Sequence, residues 1–157
     1  MEIVGRTTIH PLLFISGKIC GYLTWIFLIL GLTGISVLQS GSTPPLRYLS
    51  FIFLAAGIIY LIVSSYYLGS SVRIGLPETI TVLKTTGIYR FSRNPMYAGF
   101  NMVTLSSMLY TLNIIVILAG IYSIIVYHLI ILGEEKFLGN RFGEEYQMYK
   151  KSVRRYL

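Results

Sequence analysis

The chain has 157 residues, of which 54% are hydrophobic and only 12% charged, with a mean hydropathy of +0.68. An average soluble domain carries about twice that share of charge, so water is excluded as the principal solvent and the length suits one domain set in a bilayer. The net charge of +7 lies mostly in residues that flank apolar runs, which fits membrane topology and anionic headgroups better than nucleic acid.

A bilayer span needs roughly 20 apolar residues, and four stretches come close, which predicts an all-α, polytopic membrane protein with about four transmembrane helices. The first lies within Leu12 to Leu38, with Lys18 near its beginning, where a long stem can snorkel to the headgroups. No small-residue cleavage site closes it, so it reads as a retained span and not as a signal peptide. Cys20, the single cysteine, lies inside this run, which excludes an internal disulfide and a cysteine-based zinc site. No metal is expected. A turn, Gln39-Ser40-Gly41-Ser42-Thr43-Pro44-Pro45, should separate it from a second span over about Tyr48 to Leu68. The third is expected from about Met96 to Leu112 and the fourth from Ile114 to Leu132, an antiparallel hairpin of two similar-length helices turning at Asn113.

Orientation follows from lysine and arginine, which collect in cytosolic loops. Of the 13 such residues, all but Arg47 fall at the N-terminus, in the 69–95 loop or after Leu132. The expected protein is therefore multi-pass with both termini cytosolic, in the cell membrane of a prokaryote or the endoplasmic reticulum of a eukaryote. Residues 1–68 supply two N-terminal spans and residues 83–157 hold nearly all of the polar chemistry.

The hairpin brings the segment before Met96 beside the segment after Leu132. Pro95 suits the first turn of the third helix, with Asn94 as its expected N-cap. His128 and Glu135 are seven residues apart, two turns along one helix face, while Glu134 points elsewhere. Tyr146, Tyr149 and Val153 recur at three and four, which predicts a cytosolic C-terminal amphipathic helix that roofs the site. Taken singly, Arg93 and Arg155 read as topology anchors, the tyrosines as interfacial belt residues, and Gly99 as close helix packing.

Taken in order, these residues resemble the isoprenylcysteine carboxyl methyltransferase family and, more broadly, the membrane methyltransferases that include the phospholipid N-methyltransferases. The first half of the pattern is Gly87, Tyr89, Arg93, Asn94, Pro95, Tyr97 and Gly99; the second is His128, Glu134, Glu135, Leu138, Phe142, Gly143, Tyr146, Tyr149, Val153 and Arg155. Asn94 stands where the carboxyl methyltransferases commonly have histidine, and Arg154 replaces the usual proline before Arg155.

The resemblance implies an enzyme that uses S-adenosylmethionine at the cytosolic interface to methylate a lipophilic acceptor. It implies that Tyr89, Asn94, Pro95, Tyr97, Gly99, His128 and Glu135 hold the donor, and that Tyr146, Tyr149 and Arg155 meet the acceptor. Arg155, Arg93 and Glu134 would act on the reacting groups. The first expectation for the acceptor is the carboxylate of an isoprenylcysteine-like molecule, oriented by a bidentate arginine. The alternative is a phospholipid amine, for which Glu134 or His128 would be the base. Two further readings remain: an NADPH-dependent enzyme like the sterol reductases, and a non-enzymatic membrane adaptor. Binding of S-adenosylhomocysteine, of NADPH or of neither separates these.

Overall fold

The computed structural model describes residues 9–35, 41–69 and 82–156. Within them the chain forms five α-helices: α1 (Pro11–Leu32), α2 (Pro44–Leu68), α3 (Pro95–Thr111), α4 (Ile114–Phe142) and α5 (Glu144–Ser152), with a short 3-10 turn at Gly87–Arg90. There is no strand among the described residues. Arg6, Arg73 and the end of the expected first span at Leu38 lie outside them.

Two boundaries differ from expectation. Pro44 and Pro45 do not precede the second helix; they form its first turn, where a missing N–H costs nothing and the fixed φ is already helical. The hairpin helices are also unequal, 17 residues in α3 against 29 in α4, or about 26 and 43 Å. α4 continues ten residues beyond Leu132 because Glu134, Glu135, Lys136 and Leu138 are all good helix formers. The end of an apolar run is not the end of a helix. α4 stops only at Gly143, at φ 52°, a backbone conformation that glycine adopts without steric cost.

Among the described residues three helices are long and apolar enough to cross a membrane: α1, α2 and α4. α3 is about one turn shorter than a typical span and is held among the others, with Thr104, Ser106 and Ser107 fully buried. Small residues set the approach distances. A Cβ at Gly99 of α3 would lie 3.0 Å from the Gly57 carbonyl of α2, and one at Gly17 of α1 would overlap Val126 of α4. This is close packing of the kind that stabilises helices in lipid, where burial of apolar surface gives little net drive. Trp25 Nε1 donates to Thr104 Oγ1 at 3.0 Å and ties α1 to α3. Phe14, Val126, Tyr127 and Ile130 form the core between α1 and α4, with Tyr97 and Phe100 of α3 packed against them.

Candidate active site

The sequence Ser92-Arg93-Asn94-Pro95 enters α3 and shapes one side of the site. The Asn94 N–H donates to Ser92 Oγ at 3.1 Å, and the Asn94 side chain makes no capping bond to the helix. The expected N-cap role is thus restricted to position. Its Nδ2 is spent instead on Glu135 Oε1 at 3.3 Å and on the Arg155 carbonyl at 3.2 Å.

Glu135 lies at the centre of this group and is buried, at 6% exposure. Arg93 donates to its Oε1 through Nε at 3.2 Å and Nη2 at 2.8 Å. Arg155 reaches Oε2 through Nη2 at 2.9 Å and both oxygens through Nε at 3.2 Å. A buried carboxylate is tolerable only when paired and hydrogen-bonded, and here two guanidinium groups do both. The bond to Glu135 in turn raises the Arg155 pKa above its ordinary value.

Arg93 also clamps the C-terminal tail. Its Nη1 donates to the carbonyls of Lys150, at 3.2 Å, and Val153, and its main-chain N–H donates to the Arg154 carbonyl at 2.9 Å. Tyr156 closes the strap with a 2.6 Å bond between its hydroxyl and His128 Nδ1. In α5, Tyr149 donates to the Tyr89 carbonyl at 2.7 Å, and both Tyr146 and Tyr149 are buried. Burial and the charge of Glu135 push the Tyr146 phenol up to about 12. Burial, with Glu134 nearby, does the same for Tyr89.

Glu134 belongs to a second compartment on the side of α4 that faces α3 and α1. It accepts a 2.6 Å bond from the Tyr97 hydroxyl, and its charge interacts with that of Lys18. Glu134 and Glu135 are consecutive, so their Cα atoms stand about 3.8 Å apart. They are neighbours on α4 yet serve different groups.

Between α4 and α5 the chain forms a cleft of about 360 Å³, lined by Glu135, Lys136, Asn140, Tyr146, Gln147, Lys150 and Arg155 among others. The residues singled out from sequence therefore divide into three sets. Arg93, Asn94, His128, Glu135, Tyr146, Tyr149 and Arg155 gather around the tail and the cleft. Tyr97 and Glu134 meet at the α3–α4 seam, with Tyr89 near Glu134. Gly99 and Pro95 are helix-packing and helix-starting residues. Sequence reasoning missed Tyr156, Lys136, Asn140 and Gln147. Lys18 carries a sequence signal, a charge inside an apolar run, that snorkelling alone also explains.

Helices long and apolar enough to cross a membrane, with polar and aromatic side chains gathered where α3, α4 and the C-terminal tail meet, define an integral membrane protein with a candidate site. The sequence model of the phospholipid methyltransferase family matches residues 46–145. The chain belongs to that family and is a membrane methyltransferase. The match takes in α2 as well as the α3–α4 hairpin, and so extends further toward the N-terminus than the motifs alone. No curated protein and no solved structure matches the chain.

Proposed function

We propose that this chain transfers a methyl group from S-adenosylmethionine to the amine of a phospholipid headgroup at the cytosolic face. The observation that carries the acceptor class is the division of labour between two neighbouring carboxylates. Glu135 is occupied by two arginines, whereas Glu134 has a tyrosine hydroxyl as its bonded partner at the α3–α4 seam.

The residues present fit the donor. The cleft between α4 and α5 offers Lys136 and Lys150 as counter-charges for a carboxylate, Asn140 and Gln147 as amide partners for hydroxyls, and the Tyr146 ring. When bound, S-adenosylmethionine supplies a methyl group on a sulfonium, open to attack by a lone pair. Glu135 and Asn94 keep the cleft wall in place, and Arg93 holds the tail that borders it.

On the acceptor side, an ammonium headgroup must lose a proton before its nitrogen has a lone pair to give. Glu134 attracts the cation, receives that proton and is oriented by Tyr97. Tyr89 and Tyr97 offer aromatic faces that tolerate a cation as it gains methyl groups. Positioning of the two reactants supplies much of the rate.

A second reading keeps the carboxylate acceptor, because Arg155 is 32% exposed and lines the cleft. It ranks below the amine because the Nε and Nη2 donors that would grip a second carboxylate already bind Glu135. The test uses the purified full chain with labelled S-adenosylmethionine, offered phosphatidylethanolamine or farnesylcysteine. Labelled phospholipid, formed at a rate that rises with pH through the amine's pKa, is the expected result. Label in the ester of farnesylcysteine, abolished by Arg155→Lys, overturns the amine reading in favour of the carboxylate one.

A further inference from the structure

Lys18 is the one charged residue within α1 and falls outside the stretch that matches the family. It lies seven residues into the helix, about 10 Å from its start. Its ammonium sits 4.1 Å from the centroid of the Phe14 ring, one turn back toward the N-terminus. Phe14 belongs to the core against which Tyr97 packs, and Tyr97 donates to Glu134. Lys18 thus stands at the edge of the Glu134 compartment, near enough for the two charges to interact. Among the described residues no ion pair within 4 Å includes it. An ionisable group inside a span costs free energy to insert and marks a functional site by default.

We propose that Lys18 binds the phosphodiester of the acceptor phospholipid while Glu134 holds its amine, so that α1 selects the substrate class. This rests on the phospholipid-amine reading above. An aminoethyl phosphodiester is a zwitterion whose charges are joined by a two-carbon linker. The seam presents the complementary pair: a carboxylate bonded to a tyrosine and an ammonium without an ion-pair partner among the described residues. Lysine suits the phosphate as a compact point charge with three rotatable donors. The Phe14 ring keeps the ammonium at headgroup level by a cation–π contact, so the acyl chains can lie along the apolar outer face of α1, where Ile15 and Ile19 are exposed.

The experiment measures equilibrium lipid binding to the purified full chain in detergent by native mass spectrometry, independently of turnover. The probes are phosphatidylethanolamine, octadecylamine and glycerophosphoethanolamine. Lys18→Gln is expected to weaken phosphatidylethanolamine about tenfold, the scale of one charge-assisted bond, and to leave octadecylamine unchanged, because that amine has no phosphate. Lys18→Arg, which keeps the charge, should bind phosphatidylethanolamine nearly as the parent does and serves as the folded control. Equal losses for both amines, or no loss for either, make Lys18 a structural anchor and overturn the proposal. Equal parent affinity for glycerophosphoethanolamine and phosphatidylethanolamine assigns the site to a soluble phosphodiester and overturns its lipid part. If Lys18-dependent binding is found but no amine lipid is methylated, the phosphodiester site stands and the amine-transfer reading fails on its own.

Discussion

Arg93 meets Glu135, 42 residues further along the chain, through two donors on one carboxylate oxygen, Nε at 3.2 Å and Nη2 at 2.8 Å. Both side chains are nearly inaccessible, at 7% and 6% exposure. The same guanidinium donates through Nη1 to tail carbonyls, so one residue couples the start of α3, the last third of α4 and the C-terminal strap.

Arg93→Ala should therefore destabilise the protein by about 3 kcal/mol, the scale of breaking a buried ion pair from one side. Arg93→Lys should recover only part of this, since an ammonium cannot reproduce the fork. Thermal unfolding in detergent measures the loss. Limited proteolysis should show the 150–156 tail cleaved earlier in both variants. A tail as resistant as in the parent chain would mean that α5 alone holds it.

The Arg93–Glu135 meeting was partly legible in the sequence. The hairpin turn at Asn113 and the apolar runs on either side of it place the two segments together, and the seven-residue spacing sets His128 and Glu135 on one face. What escaped was the strap. Arg93 binds the carbonyls of Lys150, Val153 and Arg154, and a carbonyl carries no residue-type signal. The length of α4 escaped for a related reason: hydropathy marks where lipid ends, whereas helix propensity and Gly143 decide where the helix ends. The partition of Glu134 from Glu135 was visible as a 100° rotation, but their partners on α3 and in the tail emerge only from packing.

Tyr97→Phe isolates the Glu134 compartment. It removes one hydroxyl from a 2.6 Å bond to a carboxylate and keeps the ring that packs on Phe100 and Tyr127. Methyl transfer should fall by about tenfold or more, the scale of a hydrogen bond to a charged group, with unfolding temperature little changed. Steady-state rates beside a melting curve check this. A large drop in stability with normal turnover of the folded fraction would reduce Tyr97 to a packing residue.

Tyr156→Phe tests how firmly the end of the chain is fixed. Its hydroxyl bonds His128 Nδ1 at 2.6 Å, and removing it should cost about 1 kcal/mol while leaving the Arg155–Glu135 contact intact. Hydrogen exchange over residues 153–156 should rise, with little change in α3. Exchange that rises equally throughout α3 and α4 would instead show that the strap supports the whole bundle.

The final prediction concerns sidedness. The Gly41 N–H donates to the Thr111 carbonyl at 3.2 Å, and Ser42 Oγ donates to the Leu109 carbonyl at 2.8 Å, so Gly41 and Ser42 of the α1–α2 linker lie against the end of α3, next to its turn into α4. Among the described residues that end of the molecule carries Arg47 alone of the lysines and arginines, and the opposite end carries the candidate site. By the positive-inside bias, the site end faces the cytosol. Replacing Cys20, the only native cysteine, with serine gives a background for single cysteines at Gly41, Lys84 and Asn113. An impermeant thiol reagent applied to intact cells or sealed right-side-out vesicles should label Gly41→Cys and Asn113→Cys together and spare Lys84→Cys until the membrane is opened. Labelling of Lys84→Cys in the intact membrane, with the other two protected, would invert the protein and place the site on the side where S-adenosylmethionine is absent. Labelling of Gly41→Cys without Asn113→Cys would break the contact between linker and turn on which the four-crossing arrangement rests.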